Sequence, residues 1–392
     1  MKKFLSLVLV AAMSVSLLAG CGASKETASS NASSDASSDQ VWKIGGIGPV
    51  TGGAAVYGLA VKNGAQIAVD EINAAGGING YQIEYSFEDD ELDNEKSVNA
   101  YNSLKDWGMQ ILMGTVTSGC CVAVAAETVK DNMFQITPSG SAVDCVANDN
   151  AFQVCFTDPN QGVASADYIA DNGLATKIAV IYDSSDVYSS GIYAKFAEEA
   201  SAKNLDIVSA EAFTADNKTD FSVQLQKAQD AGAELVFLPF YYTEASLVLT
   251  QASSMGYNPI FFGVDGLDGI LDVENFDTSL AEGVYLLTPF SADADDSETK
   301  DFVGKFKDMT GEIPNQFGAD AYDALYIIKE AIESKGLTPA DDISTICDGM
   351  KDAMTSISYN GITGDDMTWA ATGEVNKAPK AVMIVNGAYK LQ

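Results

Sequence analysis

The sequence predicts an α/β protein built as two doubly wound domains with a cleft between them. Short apolar segments alternate with longer segments whose apolar residues have helical spacing, a pattern typical of βαβ units and parallel sheets. The alternation forms two successive series without a fixed-period repeat, which argues against a solenoid. The 392 residues are enough for two domains with separate cores.

The N-terminal 40 residues predict export and anchoring. Two lysines precede an apolar stretch that is too short to span a membrane. The stretch ends in LAGC, which resembles the lipobox of bacterial lipoproteins and predicts a signal peptide over 1–20 and lipidation of Cys21. A plain secretory signal with a chance cysteine is the alternative. Residues 21–40 are rich in Ser, Ala and Asp, which predicts a flexible tether.

The first α/β series begins at Val41. Its predicted strands are VWKIGGIGPV, YQIEYSFE, QILMG and the start of MFQITPSGS, where a helix is expected after the turn. The first predicted helix stops at Gly76-Gly77, a favourable helix end. The second follows Asp93, an N-cap residue, and a third runs to about Lys130.

The second series begins with a helix predicted over Gln161–Asn172. Strands are predicted in KIAVIYD, DIVSAEAF, ELVFLPF and PIFFG, with helices between them. Ligands of such open sheets bind beyond the carboxyl ends of the strands. Two domains of this kind that face each other therefore form a binding cleft.

The amino-acid composition excludes or disfavours several classes of function. The chain carries 55 acidic and 22 basic residues, a formal net charge of −33, which disfavours nucleic acid and anionic membrane surfaces as partners. It contains no histidine, so imidazole metal sites and Ser-His-Asp or Cys-His nucleophile systems are excluded. No cofactor and no metal are expected, and an enzyme is disfavoured.

Two turns are candidates for ligand binding. In GTVTSGC the glycine spacing is that of a P-loop, but Cys120 occupies the position of its lysine. The G-x-S-x-G nucleophile elbow and its base are also missing. What remains is a helix N-terminus that favours an anion, with Ser118 as a hydroxyl donor and the TPSGS turn as a second donor set. Alternatively, Ser118 and Ser141 are only N-caps.

Several blocks resemble the branched-chain amino-acid-binding lipoproteins and periplasmic proteins of ABC importers. They are VTGGAAVYGLAVKNGAQIAVDEINAAGGINGYQIE, TPSGS, KTDFSVQLQKAQDAGAELVFLPFYY and FGADAYDALYIIKEAI. The resemblance implies the type I periplasmic-binding-protein fold, in which two Rossmann-like domains joined by a three-strand hinge close on one ligand. It implies an N-terminal lobe of residues 41–158 plus 289–376 and a C-terminal lobe of 159–288 plus 377–392.

The resemblance also implies roles for individual residues. Ser118 matches the family serine that binds the ligand α-carboxylate, and Ser139 and Ser141 match the pair that holds carboxylate and ammonium. Asp265, in FFGVDG, matches an acidic residue that pairs with the α-ammonium. Aromatic residues that line the family cleft are matched by Tyr57, Tyr188 and Tyr241.

Three departures from the family pattern concern specificity. Asp265 is one methylene shorter than the usual glutamate, and DVYSSG replaces the more usual Tyr-Gly-x-Gly. Phe240 stands where small residues are common, which predicts a smaller or reshaped pocket. These departures bear on the choice among leucine, isoleucine and valine rather than on the α-amino-acid class.

Five cysteines follow Cys21, and disulfides form outside the cytosol. Cys145 and Cys155 lie ten residues apart across a predicted loop and are the first candidate pair. Cys120 and Cys121 would pair only as a strained vicinal bridge, although either is able to reach another partner. Free buried thiols are the other interpretation.

Together these features predict a monomeric, lipid-anchored, extracytoplasmic solute-binding protein of an ABC importer. The expected ligand is an apolar amino acid, and the expected partners are membrane permease and ATPase subunits. Two alternatives stay open at this point. One is a sensing receptor of the same fold, and the other is a binder of an amide, a short peptide or an aromatic acid.

Overall fold

Two β-sheets organise residues 40–392, the part of the chain that the computed structural model describes. The predicted signal peptide, Cys21 and the tether up to residue 39 lie outside the described residues. Within residues 40–392, none of the helices has the length and apolar character needed to cross a bilayer.

The N-terminal lobe contains a five-stranded parallel sheet of order β2-β1-β3-β4-β5. Strands β1, β3 and β4 are almost entirely buried, as expected for a parallel sheet covered on both faces. The strands are β1 Trp42–Gly48, β2 Ile83–Asp89, β3 Ile111–Gly114, β4 Gln135–Thr137 and β5 Ala151–Gln153.

Six helices surround this sheet, three of them from the C-terminal third of the chain, where α8 packs on α1 and α10 packs on α9. They are α1 Ala55–Ala74, α2 Asn94–Trp107, α3 Ser118–Asp131, α8 Ser297–Thr310, α9 Gln316–Lys335 and α10 Ile343–Met354. A small hairpin, β11 Tyr359–Gly361 and β12 Gly364–Met367, adjoins α9.

The C-terminal lobe contains a seven-stranded sheet of order β14-β13-β10-β9-β8-β6-β7. Its last two strands form an antiparallel hairpin on an otherwise parallel sheet. The strands are β6 Lys177–Asp183, β7 Asp206–Phe213, β8 Leu235–Leu238, β9 Ile260–Gly263, β10 Tyr285–Thr288, β13 Lys380–Val385 and β14 Ala388–Leu391. The helices are α4 Asp158–Asp171, α5 Val187–Ala202, α6 Ser222–Asp230 and α7 Tyr242–Met255.

Three passages of chain connect the lobes, as the fold class predicts. The first lies between β5 and α4, the second between β10 and α8, and the third between β12 and β13. A buried ion pair fixes the third passage to α9, because Lys377 Nζ lies 2.7 Å from Asp320 Oδ1. The same ammonium donates to Thr363 Oγ1 at 2.6 Å.

Helices α1 and α9 approach closely at a pair of glycines. A Cβ atom on Gly64 would lie 2.0 Å from the carbonyl oxygen of Gly318, so any larger residue would push the helices apart. This contact joins the beginning of the N-terminal lobe to its late helices, far apart in sequence. Gly64 lies in the first sequence block that carries the family resemblance, and this close helix contact explains why a glycine is needed at that position.

One predicted element is shorter than expected. The helix predicted after TPSGS is only a 3-10 turn, Val143–Val146. Hydrogen bonds from Ser141 N and Ala142 N to Ser118 Oγ hold the start of this segment. The chain then returns to the sheet at Ala151, which leaves no room for a longer helix.

The buried carboxyl groups predict an unusual dependence of stability on pH. Burial raises the pKa of Asp265 and Asp323 to about 6 and that of Asp268 to about 7. Because the unfolded value is about 3.9, the folded state binds more protons between about pH 4 and pH 7. Stability contributed by these groups is therefore lost as the pH rises through this range.

We expect the thermal midpoint of the purified protein to be several degrees higher at pH 5 than at pH 8. Differential scanning calorimetry at several pH values across this range measures the thermal midpoint. Asp268→Asn is expected to reduce the difference, whereas Asp230→Asn, at an exposed site, leaves it unchanged. A midpoint that rises with pH would contradict the expectation.

Candidate ligand-binding cleft

A narrow cavity lies between the lobes at the carboxyl ends of the strands. Six of the seven predicted ligand residues line it: Tyr57, Ser118, Ser139, Tyr188, Tyr241 and Asp265. Val116, Thr117, Gly266 and Phe317 complete the lining. The cavity measures about 10 Å³, the room that about one water molecule needs, so a larger ligand enters only when the lobes or the lining side chains move.

The topology explains why these residues meet. Tyr57 follows β1, Ser118 follows β3 and Ser139 follows β4 in the N-terminal lobe. In the C-terminal lobe, Tyr241 follows β8 and Asp265 follows β9. The carboxyl ends of parallel strands share one edge of a sheet, and here the two edges face each other.

Ser118 joins the two donor turns of the N-terminal lobe. Its Oγ accepts hydrogen bonds from Ser141 N at 3.1 Å and Ala142 N at 3.2 Å. Since both bonds use the oxygen as acceptor, the hydroxyl proton is available to a carboxylate. Ser118 is the first residue of α3 and Thr117 is the N-cap, without a side-chain capping bond, so the interpretation of Ser118 as a simple N-cap is wrong.

The helix end and the turn present further donors. The first amides of a helix lack intrahelical partners and favour an anion. Ser139 is already engaged, because its Oγ donates to Val116 O at 2.6 Å. Ser141 lies behind Ser118, outside the cavity lining, and its buried Oγ has no hydrogen-bond partner.

Other buried polar atoms beside the cleft are also without partners. They are Thr117 Oγ1, Gln161 Nε2 and both carboxylate oxygens of Asp158. Asp158 is tied to the donor turn, because its N–H donates to Ser141 O at 2.9 Å. Asp158 is only 2% exposed, and burial raises its pKa well above the usual range. The Ser141 hydroxyl lies close enough to Asp158 to lower the pKa of that carboxyl group, and neither Asp158 nor Gln161 lines the cavity, so these groups belong to the wall behind it.

Asp265 is the acidic group on the opposite side of the cleft. It is 3% exposed, and its Oδ1 accepts from the Tyr188 hydroxyl at 2.5 Å. Its own N–H donates to Gln161 Oε1 at 3.1 Å. Burial raises the pKa of Asp265 to about 6, so the carboxylate is ionised at neutral pH and favours a cationic partner.

An aromatic cluster closes the cleft. The rings of Tyr188 and Tyr241 stack with centroids 4.9 Å apart, and Tyr57 meets Tyr241 edge-on at 5.6 Å. Phe317 lies against Tyr57 at 4.6 Å. These rings come from both lobes and supply apolar area together with hydroxyl groups.

The lobes are in direct contact at the mouth of the cleft. The Tyr57 hydroxyl donates to Gly266 O at 2.5 Å and accepts from Tyr242 N at 3.3 Å. Thr243 Oγ1 donates to Gly53 O at 2.6 Å. These bonds connect the start of α1 to the C-terminal lobe, and the structure is therefore a closed form.

The structure corrects the expectation for Phe240. Its ring packs on Phe213 at 5.1 Å and on Phe221 at 6.3 Å in the core of the C-terminal lobe, and it does not line the cavity. Sequence reasoning also missed Thr117, Asp158 and Phe317. No motif marks them, although Thr117 adjoins the predicted serine.

The cysteines differ from the predicted pairing. Cys145 and Cys155 are both free and buried in the structure, as are the other three cysteines of the described residues. Cys145 instead packs with Cys121, and its Sγ donates to Ser118 O at 3.7 Å. The predicted bridge is absent because Cys145 is directed towards α3.

Lobes that close over a small cavity and are joined by three chain passages define a class of protein that captures a small ligand between its halves. Comparison with protein families specifies the class. The model of a family described as periplasmic binding protein matches residues 41–388, and the chain belongs to this family. The resemblance stated from the sequence blocks is thereby confirmed.

Individual relatives agree with this assignment. The chain is 30% identical to Leu/Ile/Val-binding protein homolog 3 of Brucella melitensis, covering 85% of this chain and 88% of the relative. It is 29% identical to the leucine-, isoleucine-, valine-, threonine- and alanine-binding protein of Pseudomonas aeruginosa. That match covers 75% of this chain and 78% of the relative.

Solved structures share the fold. The branched-chain amino acid transporter substrate-binding protein LivJ of Streptococcus pneumoniae, in complex with isoleucine, superposes with a TM-score of 0.80 and 28% identity. The match covers 90% of this chain and 98% of LivJ. A benzoate complex of a solute-binding protein from R. palustris has a TM-score of 0.79 at 19% identity and shows the fold alone.

Tyr57→Phe tests the contact between the lobes. The variant leaves Gly266 O and Tyr242 N without their shared partner, which destabilises the closed form by about 1–2 kcal/mol. We expect small-angle X-ray scattering to show a larger mean radius of gyration than in the unaltered protein. Tyr326→Phe is the matched control, because the Tyr326 hydroxyl donates to Glu71 instead. Identical scattering for all three proteins would contradict the role of Tyr57.

Proposed function

We propose that this protein is the solute-binding component of an ABC importer and captures an apolar, branched-chain-type α-amino acid by closure of its lobes. One observation carries the proposal. The cleft places free donors at the start of α3 opposite the buried carboxylate of Asp265. A zwitterion that leaves water needs both of its charges met, and this arrangement meets both.

The proposed contacts follow the two charges of the ligand. The α-carboxylate accepts from the Ser118 hydroxyl and from the amides at the start of α3. Ser139 lines the same side, and Ser141 acts through its hydrogen bond to Ser118. The α-ammonium donates to Asp265.

The side chain of the ligand lies among the aromatic rings. Tyr57 and Phe317 contact it from the N-terminal lobe, and Tyr188 and Tyr241 contact it from the C-terminal lobe. Burial of apolar area contributes about 25 cal/mol per Å² and favours closure around the ligand. No covalent chemistry on the ligand and no cofactor are part of this proposal.

The relatives support this ligand class. Relatives near 30% identity are named for binding leucine, isoleucine and valine, and the LivJ structure holds isoleucine. Membership of the periplasmic binding protein family places the protein outside the cytoplasm. We further propose a lipid anchor at Cys21, a tether over residues 21–40, and delivery of the ligand by the monomer to permease and ATPase subunits.

A thermal-shift panel tests the ligand class on protein that has been unfolded and refolded to remove carried-over ligand. The panel contains the twenty amino acids, short amides and benzoates. A ligand at about 1,000 times its Kd stabilises the folded state by about 4 kcal/mol. We expect leucine, isoleucine or valine to raise the midpoint by several degrees.

Asp265→Asn tests the ammonium contact in the same panel. The substitution removes the charge that meets the ammonium, and we expect affinity to fall by about 10-fold or more. Asp230→Asn, an exposed carboxyl, is the control and keeps full affinity. A shift with benzoates or amides but with no amino acid would overturn the ligand class and leave the fold intact.

The affinity should also depend on pH. Burial raises the pKa of Asp265 to about 6, so protonation below this value removes the partner of the ammonium. We expect affinity for the amino acid to fall by about 10-fold between pH 7.5 and pH 5. Titration calorimetry at both values measures the change. Asp265→Asn is expected to show little of this dependence.

A further inference from the structure

Two buried thiols meet behind the donor turns of the ligand-binding cleft. Cys121 lies in the first turn of α3, and Cys145 lies in the 3-10 turn Val143–Val146. Both side chains are fully buried, and together with Ala142 they form a small cluster of their own. The two thiols are thus in contact, although β4 and the turns on either side of it separate them in sequence.

The TPSGS turn approaches α3 closely at this point. A Cβ atom on Gly140 would lie 3.0 Å from both Cβ and Sγ of Cys121, so a glycine is needed for the turn to pack here. Cys145 Sγ lies 3.7 Å from Ser118 O. Ser118 and Cys121 are neighbours on one turn of helix, so the sulfur of Cys145 is directed at the turn that carries Cys121.

The surroundings of the two thiols differ in a way that makes one of them the nucleophile. Cys121 Sγ accepts a hydrogen bond from Gln135 Nε2 at 3.3 Å. Hydrogen-bonded contact with Cys145 lowers the pKa of Cys121, whereas burial raises the pKa of Cys145 well above its usual value. The thiolate is the form that attacks a disulfide, so Cys121 reacts first and Cys145 is the resolving thiol.

The other three cysteines of the described residues have different neighbours. The Cys120 thiol faces α2 and the loop before it, where it contacts Ser97 and Asp90. Cys347 lies on α10, and Cys155 follows β5 near the buried ion pair of the third passage. Among residues 40–392, no other two cysteines share a cluster of buried side chains.

We propose that Cys121 and Cys145 form a disulfide bond when the chain folds outside the cytoplasm, where disulfides persist. The oxidant is a disulfide, R–S–S–R, of a small thiol or of a thiol oxidoreductase. The Cys121 thiolate attacks one sulfur of this disulfide and releases one R–S⁻. Cys145 then loses its proton, attacks Cys121 Sγ of the mixed disulfide and releases the second R–S⁻. The two cysteines give up two electrons and two protons, and the oxidant becomes two R–SH.

The bond ties the two donor turns of the cleft together. It joins the helix that begins at Ser118 to the segment whose amides, Ser141 N and Ala142 N, donate to Ser118 Oγ. Because both thiols are fully buried in the folded protein, the exchange takes place during folding, before the 3-10 turn packs on α3. The closed loop contains β4, and it restricts the unfolded chain and so stabilises the folded one.

Tryptic peptide mapping distinguishes this bridge from the other possible pairs. One tryptic peptide, 106–130, contains the first two of the five cysteines, and the next peptide, 131–177, contains the third and fourth. A bridge between Cys121 and Cys145 joins the two peptides. A bridge between Cys145 and Cys155, or one between the two adjacent cysteines, stays within a single peptide and lowers its mass by the two hydrogens lost.

The full-length chain is unfolded and reduced, refolded with oxidised glutathione, and capped with N-ethylmaleimide before digestion. Every protein carries Cys21→Ser, so that residue 21 contributes no thiol. We expect joined peptides in this chain and in its Cys120→Ser variant, and none in Cys121→Ser or Cys145→Ser. We also expect the thermal midpoint to be several degrees higher after oxidation than after reduction with dithiothreitol, with no such difference in Cys145→Ser.

Three results would overturn the proposal. They are joined peptides that persist in Cys121→Ser or disappear in Cys120→Ser, a bridge confined to one peptide, and five capped thiols after refolding. The map of the chain with all five cysteines decides the matter even if a serine variant does not fold. None of these measurements uses an amino-acid ligand, so their outcome is separate from that of the proposed function.

Discussion

The removal of negative charge from water is the constraint on which the cleft depends. Asp265 is held between the lobes with the Tyr188 hydroxyl on one oxygen, and Asp158 lies near the donor turn with neither oxygen paired. Such groups are unfavourable unless a positive charge meets them. Under the proposed function, a ligand ammonium completes the closed cleft, and the fixed neighbours of Asp265 hold it in place for that contact.

At the third passage between the lobes, the protein itself supplies the partners that buried carboxylates need. Lys377 neutralises Asp320 and donates to Thr363 within the protein. Asp323 is satisfied by the amides of Ile362 and Thr363. The carboxylates near the hinge thus have partners from the chain itself. In the cleft, Asp265 has a neutral partner, the Tyr188 hydroxyl, and none of the residues lining the cavity is basic.

Much of the fold was predictable because its signals are local. The alternation of apolar strands and helices, the helix end at Gly76-Gly77 and the N-cap at Asp93 each depend on a few adjacent residues. Asp93 Oδ1 indeed accepts from Glu95 N and Lys96 N. The short turn at Val143–Val146 was missed because its path is fixed by two hydrogen bonds that the preceding amides donate to a distant residue, Ser118.

The site was predictable only in part, for a related reason. Six of the seven residues reached the cavity because family blocks place them after particular strands. The orientation of Phe240, the position of Phe317 and the unpaired Asp158 depend on packing between elements that lie far apart in sequence. The contact of Cys145 with Cys121 arises in the same way, and spacing along the chain favoured Cys155.

The five thiols of the described residues are all buried and unpaired. They pack as small apolar groups, and no covalent cross-link restrains residues 40–392. As the thiols stand in the structure, residues 40–392 are held together by packing, hydrogen bonds and ion pairs alone. Reduction has no sulfur–sulfur bond to break among them.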